Sequence, residues 1–280
     1  MKTKQLLFAI ALLLFQTAAF AQKSPDFISD SLDAYIMKGL EGWNIPGVAV
    51  CIVKDGKVVL SKGYGLKELG AKDKVDEHTL FMIASNTKAM TGTIMAMLEQ
   101  EKKCSMDDAV SKWYPFFKMK DPTLVHKVNL TDIVTHRMGM ETFQGDFMYI
   151  DSDLNTKQVI EKMGQLKPIY DFRSKWGYCN AGYALAGECI LNISGKSWED
   201  NMREKLFQPL GMDRTLVFAS ELKSAKNKAT AHTNENGILR KIPYGEMDAM
   251  APAGSVCSSV HDLSRYMIAL LDSGRIDGKE

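Results

Sequence analysis

The chain has 280 residues, of which 45% are hydrophobic and 25% charged, and its formal net charge is +1. This length allows one large domain or two small ones, and the composition is that of an ordinary globular protein with a core of normal size. The nearly neutral balance gives no support to a nucleic-acid-binding protein or to one that binds anionic membranes, because those partners select strongly basic surfaces.

The first 21 residues predict a secretory signal peptide. Lys2 and Lys4 form a short positive start, residues 6–15 are a compact apolar stretch, and residues 19–21 form a small-x-small cleavage site. The apolar stretch is too short for an ordinary membrane span, and an N-terminal anchor helix is the alternative. We therefore expect residues 22–280 to be a periplasmic or secreted protein with no stable membrane span after signal cleavage.

The five cysteines give no sign of a metal or redox centre. They are Cys51, Cys104, Cys179, Cys189 and Cys257. None belongs to a CxxC pair, which argues against structural zinc and against thioredoxin-like chemistry. The number is odd, so at least one thiol is unpaired in a monomer. Most of them lie in apolar runs, which favours buried and unreactive thiols.

A β-hairpin is predicted near the N-terminus. Residues 47–53 are a nearly continuous apolar run, as in a strand covered on both faces, and a second run follows at residues 58–61. Asp55-Gly56 lies between them, and a two-residue Asp-Gly connection is the strongest short hairpin signal. The domain is therefore expected to open with this one hairpin.

Helices are predicted over the rest of the chain. Apolar residues recur at helical spacing in a helix that ends at about Glu101, in another that begins at Leu130, and in a third at residues 183–191. The pairs Ser197/Asp200 and Ser259/Asp262 resemble capping boxes and predict two further helices. The fold class is therefore α+β, with an N-terminal hairpin and a helical region.

Ser85-Asn86-Thr87-Lys88 fits the S-x-x-K pattern of a serine nucleophile with a lysine partner. Residues three apart on a helix share one face, so the Lys88 amine is within reach of the Ser85 hydroxyl. Burial under apolar side chains lowers a lysine pKa, which would let the neutral amine activate the serine. The N–H of Ser85 at the helix start can receive a developing oxyanion.

A second S-x-x-K match, Ser220 to Lys223, lacks this context. It opens a polar, lysine-rich stretch with no apolar face, which is typical of a surface loop or a cap. The match at Ser85, in contrast, follows a short apolar stretch and opens a helix with a clear apolar face. We therefore select Ser85 and Lys88 over Ser220.

Tyr178 and Asn180 form the next candidate pair. Residues two apart project to the same side of an extended segment. A tyrosine relays a proton when a nearby cation stabilises its phenolate, and an asparagine both donates and accepts toward a substrate amide. The alternative is a turn with a packed tyrosine and a helix-capping asparagine.

Residues 81–91 resemble the active-site segment of the serine β-lactamase-related and penicillin-binding-protein-like family. This family includes class C β-lactamases, DD-peptidases, esterases and D-aminopeptidases. Residues 133–140, residues 178–180 and residues 206–212 match later family motifs in the same order, although Met138 stands where the family usually has serine. The resemblance covers about residues 30–278.

The resemblance implies a role for each candidate residue and no metal or cofactor. Ser85 is the expected acyl nucleophile, Lys88 its partner, Tyr178 the general acid/base and Asn180 a substrate contact. The implied fold is of the β-lactamase/transpeptidase type, a mixed sheet with helices whose C-terminal strands carry a Lys-Thr-Gly or His-x-Gly motif. No such motif follows Tyr178, so residues 22–280 are expected to be a C-terminally incomplete domain with these strands missing.

The sequence thus predicts a serine hydrolase that acts through an acyl-enzyme on amide, β-lactam or ester bonds of a small-molecule or peptide substrate. A peptidase or an esterase is as compatible with it as a true β-lactamase. The alternative is a non-catalytic penicillin-binding-like sensor or binding protein, or an inactive fragment. The oligomeric state is not predicted.

Overall fold

The computed structural model describes residues 26–275 and residue 278. The predicted signal peptide at residues 1–21 lies outside the described residues. The chain divides after Lys38 into a small N-terminal unit and a large second unit. Helix α1 (Asp26–Asp30) and most of helix α2 (Leu32–Gly42) belong to the N-terminal unit, and Phe27 contacts Tyr35 edge to face within it.

The second unit mixes short strands with helices. Its strands are β1 (Gly47–Lys54), β2 (Lys57–Gly65), β3 (Phe81–Met82), β4 (His232–Glu235), β5 (Ile238–Lys241) and β6 (Cys257–Ser258). Its α-helices are α3 (Thr87–Gln100), α4 (Val110–Trp113), α5 (Leu130–Val134), α6 (Thr156–Gln165), α7 (Asn180–Ser194), α8 (Trp198–Asn201), α9 (Gln208–Leu210), α10 (Ala251–Gly254) and α11 (Val260–Leu271). A π-helical segment, Met202–Phe207, joins α8 to α9, and short 3-10 turns include Ala84–Asn86, Pro122–Leu124, Asp146–Met148, Ala219–Lys223 and Asp248–Met250.

The predicted N-terminal hairpin is confirmed. Strands β1 and β2 pair antiparallel, with a bulge between Ile52 and Val53. Asp55 and Gly56 both have positive φ angles, 49° and 71°, which is the backbone of the tight turn that the Asp-Gly pair predicts. The apolar residues of β1 are half-buried, and helix α11 packs against this strand.

The expectation of a single hairpin followed only by helices is wrong. Strands β4 and β5 form a second antiparallel hairpin around Asn236-Gly237, whose φ angles of 52° and 79° again fit a tight two-residue turn. Strands β3 and β6 form a third pair, although the chain between them is long. The Asn-Gly pair at residues 236–237 is a hairpin signal that is present in the sequence. The β3–β6 pair has no such signal, because its strands are very short and lie far apart in the chain.

The core of the second unit lies between α3 and α7. Helix α3 buries Met90, Ile94 and Leu98 at helical spacing, as the sequence predicts. Helix α7 is nearly all buried along its first ten residues, and it packs against α3, α5, α6 and α10. Because α7 is surrounded by other helices, its sequence is apolar on most faces rather than on a single stripe.

The two predicted caps are present, but Asp262 has another role. The side chain of Ser197 accepts the N–H of Asp200, and that of Ser259 accepts the N–H of Asp262. The Asp262 carboxylate, however, accepts the N–H of Arg214 and the hydroxyl of Thr215, at 2.9 and 2.8 Å. It therefore ties helix α11 to the segment that follows α9.

Candidate active site

Ser85 lies in the sharp turn between strand β3 and helix α3. Ala84, just before it, has a φ of 45°, a left-handed conformation that non-glycine residues rarely adopt. The 3-10 turn then continues directly into α3, so the N–H of Ser85 is among the first amides of a helical segment, which lack intrahelical acceptors. The side chain of Ser85 is exposed at this turn, where an incoming carbonyl group can reach it.

Lys88 is one turn farther along and is almost entirely buried. Its Nζ lies 3.2 Å from Oγ of Ser85, as the three-residue spacing predicts. The same nitrogen donates to Oδ1 of Asn180 and to the carbonyl oxygen of Ala253, both at 2.7 Å. The amine is therefore held in position by three acceptors on three different segments, one of which is the serine.

Burial increases the neutral fraction of Lys88. Burial lowers the pKa of Lys88 to about 8, against the opposing influence of Asp146 and Cys179. A neutral amine has two N–H bonds and one lone pair. When Asn180 and Ala253 accept the two N–H bonds, the lone pair faces Ser85, which is the arrangement a base needs.

Tyr178 approaches Ser85 from the segment that precedes helix α7. Its hydroxyl donates to Oγ of Ser85 at 2.5 Å. The Lys88 Nζ lies 4.6 Å from the centroid of the Tyr178 ring, a cation–π distance that also places positive charge beside the phenol. Ser85 Oγ is therefore within hydrogen-bond reach of both candidate proton-transfer groups.

His136 packs against the ring of Tyr178. Its ring is buried and stacks on the Tyr178 ring, and its Nδ1 accepts the N–H of Cys179 at 3.0 Å. Burial, with a smaller contribution from Lys88, lowers the pKa of His136 to about 4. The position of His136 beside Tyr178 could not be predicted from spacing in the sequence.

Asn180 links Lys88 to a buried carboxylate. While Oδ1 of Asn180 accepts from Lys88, its Nδ2 donates to Oδ2 of Asp146 at 2.5 Å. Both ends of the amide are thus engaged by protein groups, and the role of Asn180 as a substrate contact stays a prediction. Asp146 was not among the predicted site residues, since it lies in an irregular loop with no motif of its own.

Helix α10 also contributes to the site. Besides the Ala253 carbonyl that binds Lys88, the carbonyl of Pro252 accepts the hydroxyl of Thr91 on α3 at 2.8 Å. A Cβ on Gly254 would come within 3.7 Å of the backbone of Ala84. A contact between a backbone carbonyl of this helix and the lysine could not be predicted from the sequence.

The rejected candidates lie elsewhere. Ser220 is exposed in the Ala219–Lys223 turn, and Lys223 binds Glu246 at 2.5 Å instead of the serine. Cys179 points away from Ser85 into the core, where its Sγ lies 3.8 Å from Sδ of Met163, and burial raises the pKa of its thiol to about 11. All five cysteines are unpaired.

Within residues 26–275 and residue 278, no cluster of three or more His, Cys, Asp or Glu side chains is arranged to hold a metal ion. Over the same residues, no helix is both long enough and apolar enough to cross a membrane.

Comparison with known proteins identifies the family. The Beta-lactamase family model matches residues 32–280. The chain belongs to the Beta-lactamase family. This family assignment confirms the resemblance drawn from residues 81–91 and from the later motifs.

Two curated relatives of this chain are distant in sequence. Protein flp of Staphylococcus aureus is 29% identical over 243 residues, which are 84% of this chain and 47% of that protein. Unguisins hydrolase ungD of Aspergillus violaceofuscus is 26% identical over 274 residues, which are 89% of this chain and 47% of that protein. The chain spans about half the length of these relatives.

Solved structures confirm the β-lactamase/transpeptidase-like fold. An octameric penicillin-binding protein homologue from Pyrococcus abyssi has a TM-score of 0.70 and 26% identity, covering 87% of this chain and 56% of that one. FmtA from Staphylococcus aureus has a TM-score of 0.72 and 26% identity, covering 87% of this chain and 67% of that one.

Proposed function

We propose that this Beta-lactamase family chain is a serine hydrolase that forms an acyl-enzyme at Ser85. The proposal is carried by one observation: Oγ of Ser85 lies 3.2 Å from Nζ of Lys88 and 2.5 Å from the hydroxyl of Tyr178. A serine hydroxyl becomes an effective nucleophile when a positioned base takes its proton, and Lys88 is close enough to take it while Tyr178 hydrogen-bonds the same oxygen.

In the first step, Oγ of Ser85 attacks the substrate carbonyl carbon as Lys88 takes the hydroxyl proton. The new C–O bond turns the carbonyl oxygen into an oxyanion, which the Ser85 N–H at the helix start is placed to receive. Such donors count most in the transition state, where the negative charge is largest. Lys88 suits the role of base because burial lowers its pKa to about 8.

In the second step, the bond to the leaving group breaks and that group takes a proton. Tyr178 is suited to deliver it, because its hydroxyl lies against the attacking atom, Oγ of Ser85, and Lys88 lies over its ring. The positive charge beside the ring stabilises the phenolate that remains. The proton on Lys88 restores Tyr178, and water then hydrolyses the ester at Ser85 by the same steps in reverse.

The substrate is an amide, β-lactam or ester of a small molecule or peptide. The acyl-enzyme route is common to these bonds. The named relatives support this range, since one is an unguisins hydrolase and one a penicillin-binding protein homologue. With the N-terminal signal pattern, we further propose that the protein acts in the periplasm or outside the cell.

Covalent labelling tests the proposal. The protein is treated with a fluorophosphonate and, separately, with a fluorescent penicillin, and the adduct is mapped by mass spectrometry. We expect the fluorophosphonate to label Ser85, and the Ser85→Ala variant to remain unlabelled. Ser220→Ala is the matched control and should label like the parent protein. Labelling that persists in Ser85→Ala would exclude this nucleophile.

A further inference from the structure

Asp146 is a buried carboxylate that the mechanism above does not use. It begins the 3-10 turn Asp146–Met148, directly after Gly145, whose φ is 85°. Only 5% of the residue is exposed. A buried carboxylate is costly unless it is hydrogen-bonded and faces a positive charge, so its surroundings indicate what it does.

One carboxylate oxygen of Asp146 has a clear partner and the other does not. Oδ2 accepts from Nδ2 of Asn180 at 2.5 Å. Oδ1 is buried, and no hydrogen-bond partner for it is found among the described residues. Asp132, in contrast, has both carboxylate oxygens hydrogen-bonded to Arg173, as expected of a carboxylate with a purely structural role.

The bond to Asp146 decides which way the Asn180 amide points. An ionised carboxylate only accepts hydrogen bonds, so it must face the NH₂ group of the amide. Oδ1 of Asn180 must then lie on the other side, where it accepts from Lys88 at 2.7 Å. With the opposite orientation, the NH₂ group would face the lysine N–H bonds and the contact would be lost.

The charge of Asp146 acts on Lys88 as well. The rings of Tyr178 and Tyr183 lie against the Lys88 amine, and His136 and Cys179 are close enough to interact with it electrostatically. Asp146 adds a carboxylate to this set. Burial lowers the Lys88 pKa, and the charge of Asp146 opposes that lowering. Burial raises the Asp146 pKa, and the hydrogen bond from Asn180 and the charge of Lys88 oppose that rise.

We propose that Asp146 is a positioning residue that orients the Asn180 amide toward Lys88 and serves as the counter-charge of the Lys88 ammonium. The role of Asp146 in catalysis rests on the proposed hydrolase function. The interaction of Asp146 with the Lys88 amine does not depend on that function.

The first measurement follows Lys88 directly. The amine is reacted with a small arylating reagent over a series of pH values, and its modification is quantified by mass spectrometry, in the parent and in Asp146→Asn. Loss of the negative charge should move the midpoint of Lys88 reactivity to lower pH by about one unit. A loss of packing alone would not produce a shift in this direction.

Two variants complete the design. Asp132→Asn removes an equally buried carboxylate that bonds Arg173, and it should keep the parent midpoint even where it lowers the melting temperature. Asp146→Ser removes the charge with a smaller side chain and should shift the midpoint as Asp146→Asn does. Circular dichroism establishes that each variant is folded.

The rate of Ser85 labelling by a fluorophosphonate is the second readout. Its rise with pH should move to lower pH in Asp146→Asn, together with the Lys88 midpoint. An unchanged Lys88 midpoint in a folded Asp146→Asn protein would overturn the proposal, as would failure of both uncharged variants to fold. If the midpoint moves but Ser85 of the parent never labels, the hydrolase function fails and the assignment of Asp146 stands.

Discussion

The ring of His136 stacks on the ring of Tyr178, with centroids 4.6 Å apart and planes inclined by 26°. Nδ1 of His136 accepts the N–H of Cys179, so the neutral imidazole carries its proton on Nε2. His136 therefore contacts both the Tyr178 ring and the backbone that follows it. This double contact holds the phenol where its hydroxyl meets Ser85.

His136 makes the stability of the protein depend on pH. Burial and Lys88 lower its pKa from 6.5 to about 4, so between these values the native state binds fewer protons than the unfolded chain. The stabilisation is fully present above pH 6.5 and is lost as the pH falls through about 4. Urea unfolding of the parent should show stability falling over this range, and His136→Asn should show a smaller fall.

His126 supplies the control for this measurement, because it is exposed and lies away from Tyr178. His126→Asn should keep the parent's dependence on pH. If the stability of His136→Asn and that of the parent fell equally with pH, burial would not lower the His136 pKa as stated.

Removal of the Tyr178 hydroxyl should slow acylation while the fold is kept. A positioned acid or base contributes roughly 10²–10⁴ in rate, so Tyr178→Phe should label at Ser85 slower by about that factor. The phenylalanine ring retains the stacking on His136, so the melting temperature should change little. Tyr170→Phe is the control, since Tyr170 contacts Lys175 and not Ser85. Labelling of Tyr178→Phe at the parent rate would exclude Tyr178 from proton transfer.

The pH dependence of labelling should report Lys88. A base must be deprotonated to act, and burial lowers the Lys88 pKa to about 8. The rate of Ser85 labelling should therefore rise with pH and level off above about 8. Lys88→Arg, whose side chain stays charged, should lose this rise and lose at least 10²-fold in rate, roughly the value of a general base. Lys223→Arg, from the rejected Ser220 match, should behave like the parent.

Local signals in the sequence predicted the parts of the site that lie along one segment. The spacing of Ser85 and Lys88 places them on one helix turn, and the alternation of Tyr178 and Asn180 makes both project to the same side of their segment. These relationships depend on backbone geometry within a few residues. For that reason they could be predicted without knowledge of the tertiary structure.

The remaining parts depend on contacts between distant segments. The carbonyl of Ala253 binds Lys88 across 165 positions of the chain, and Asp146 meets Asn180 across 34. A backbone carbonyl has no sequence signature, and a single aspartate in a loop has the same composition signal as any surface residue. The β3–β6 pair likewise forms only when the fold brings two short segments together.

Cys179 should be dispensable for chemistry although it lies between Tyr178 and Asn180. It is buried against Met163, and burial raises the pKa of its thiol to about 11, so little thiolate is present at neutral pH. Iodoacetamide should leave it unmodified in the native protein and modify it after unfolding. Cys179→Ala should retain most of the Ser85 labelling rate. A loss as large as that of Ser85→Ala would reopen the possibility of a cysteine nucleophile.

Gly177 should be required for the position of Tyr178. A Cβ at Gly177 would lie 1.8 Å from the carbonyl oxygen of Met140, so the backbone on one side must move. Overpacking of this kind costs about 1–3 kcal/mol, and Gly177→Ala should lower the free energy of unfolding by that amount. Because Tyr178 is the next residue, the same change should also slow labelling of Ser85.

Gly92 provides the opposite case within the same protein. It lies inside helix α3, and a Cβ there would meet no atom within 4 Å. Alanine loses less backbone entropy than glycine on folding, so Gly92→Ala should stabilise the protein by roughly 0.5–1 kcal/mol. Urea unfolding of both variants with fluorophosphonate labelling of the same samples tests the pair. If Gly177→Ala were as stable and as reactive as Gly92→Ala, the close approach of residue 177 to Met140 would not be what holds Tyr178 at Ser85.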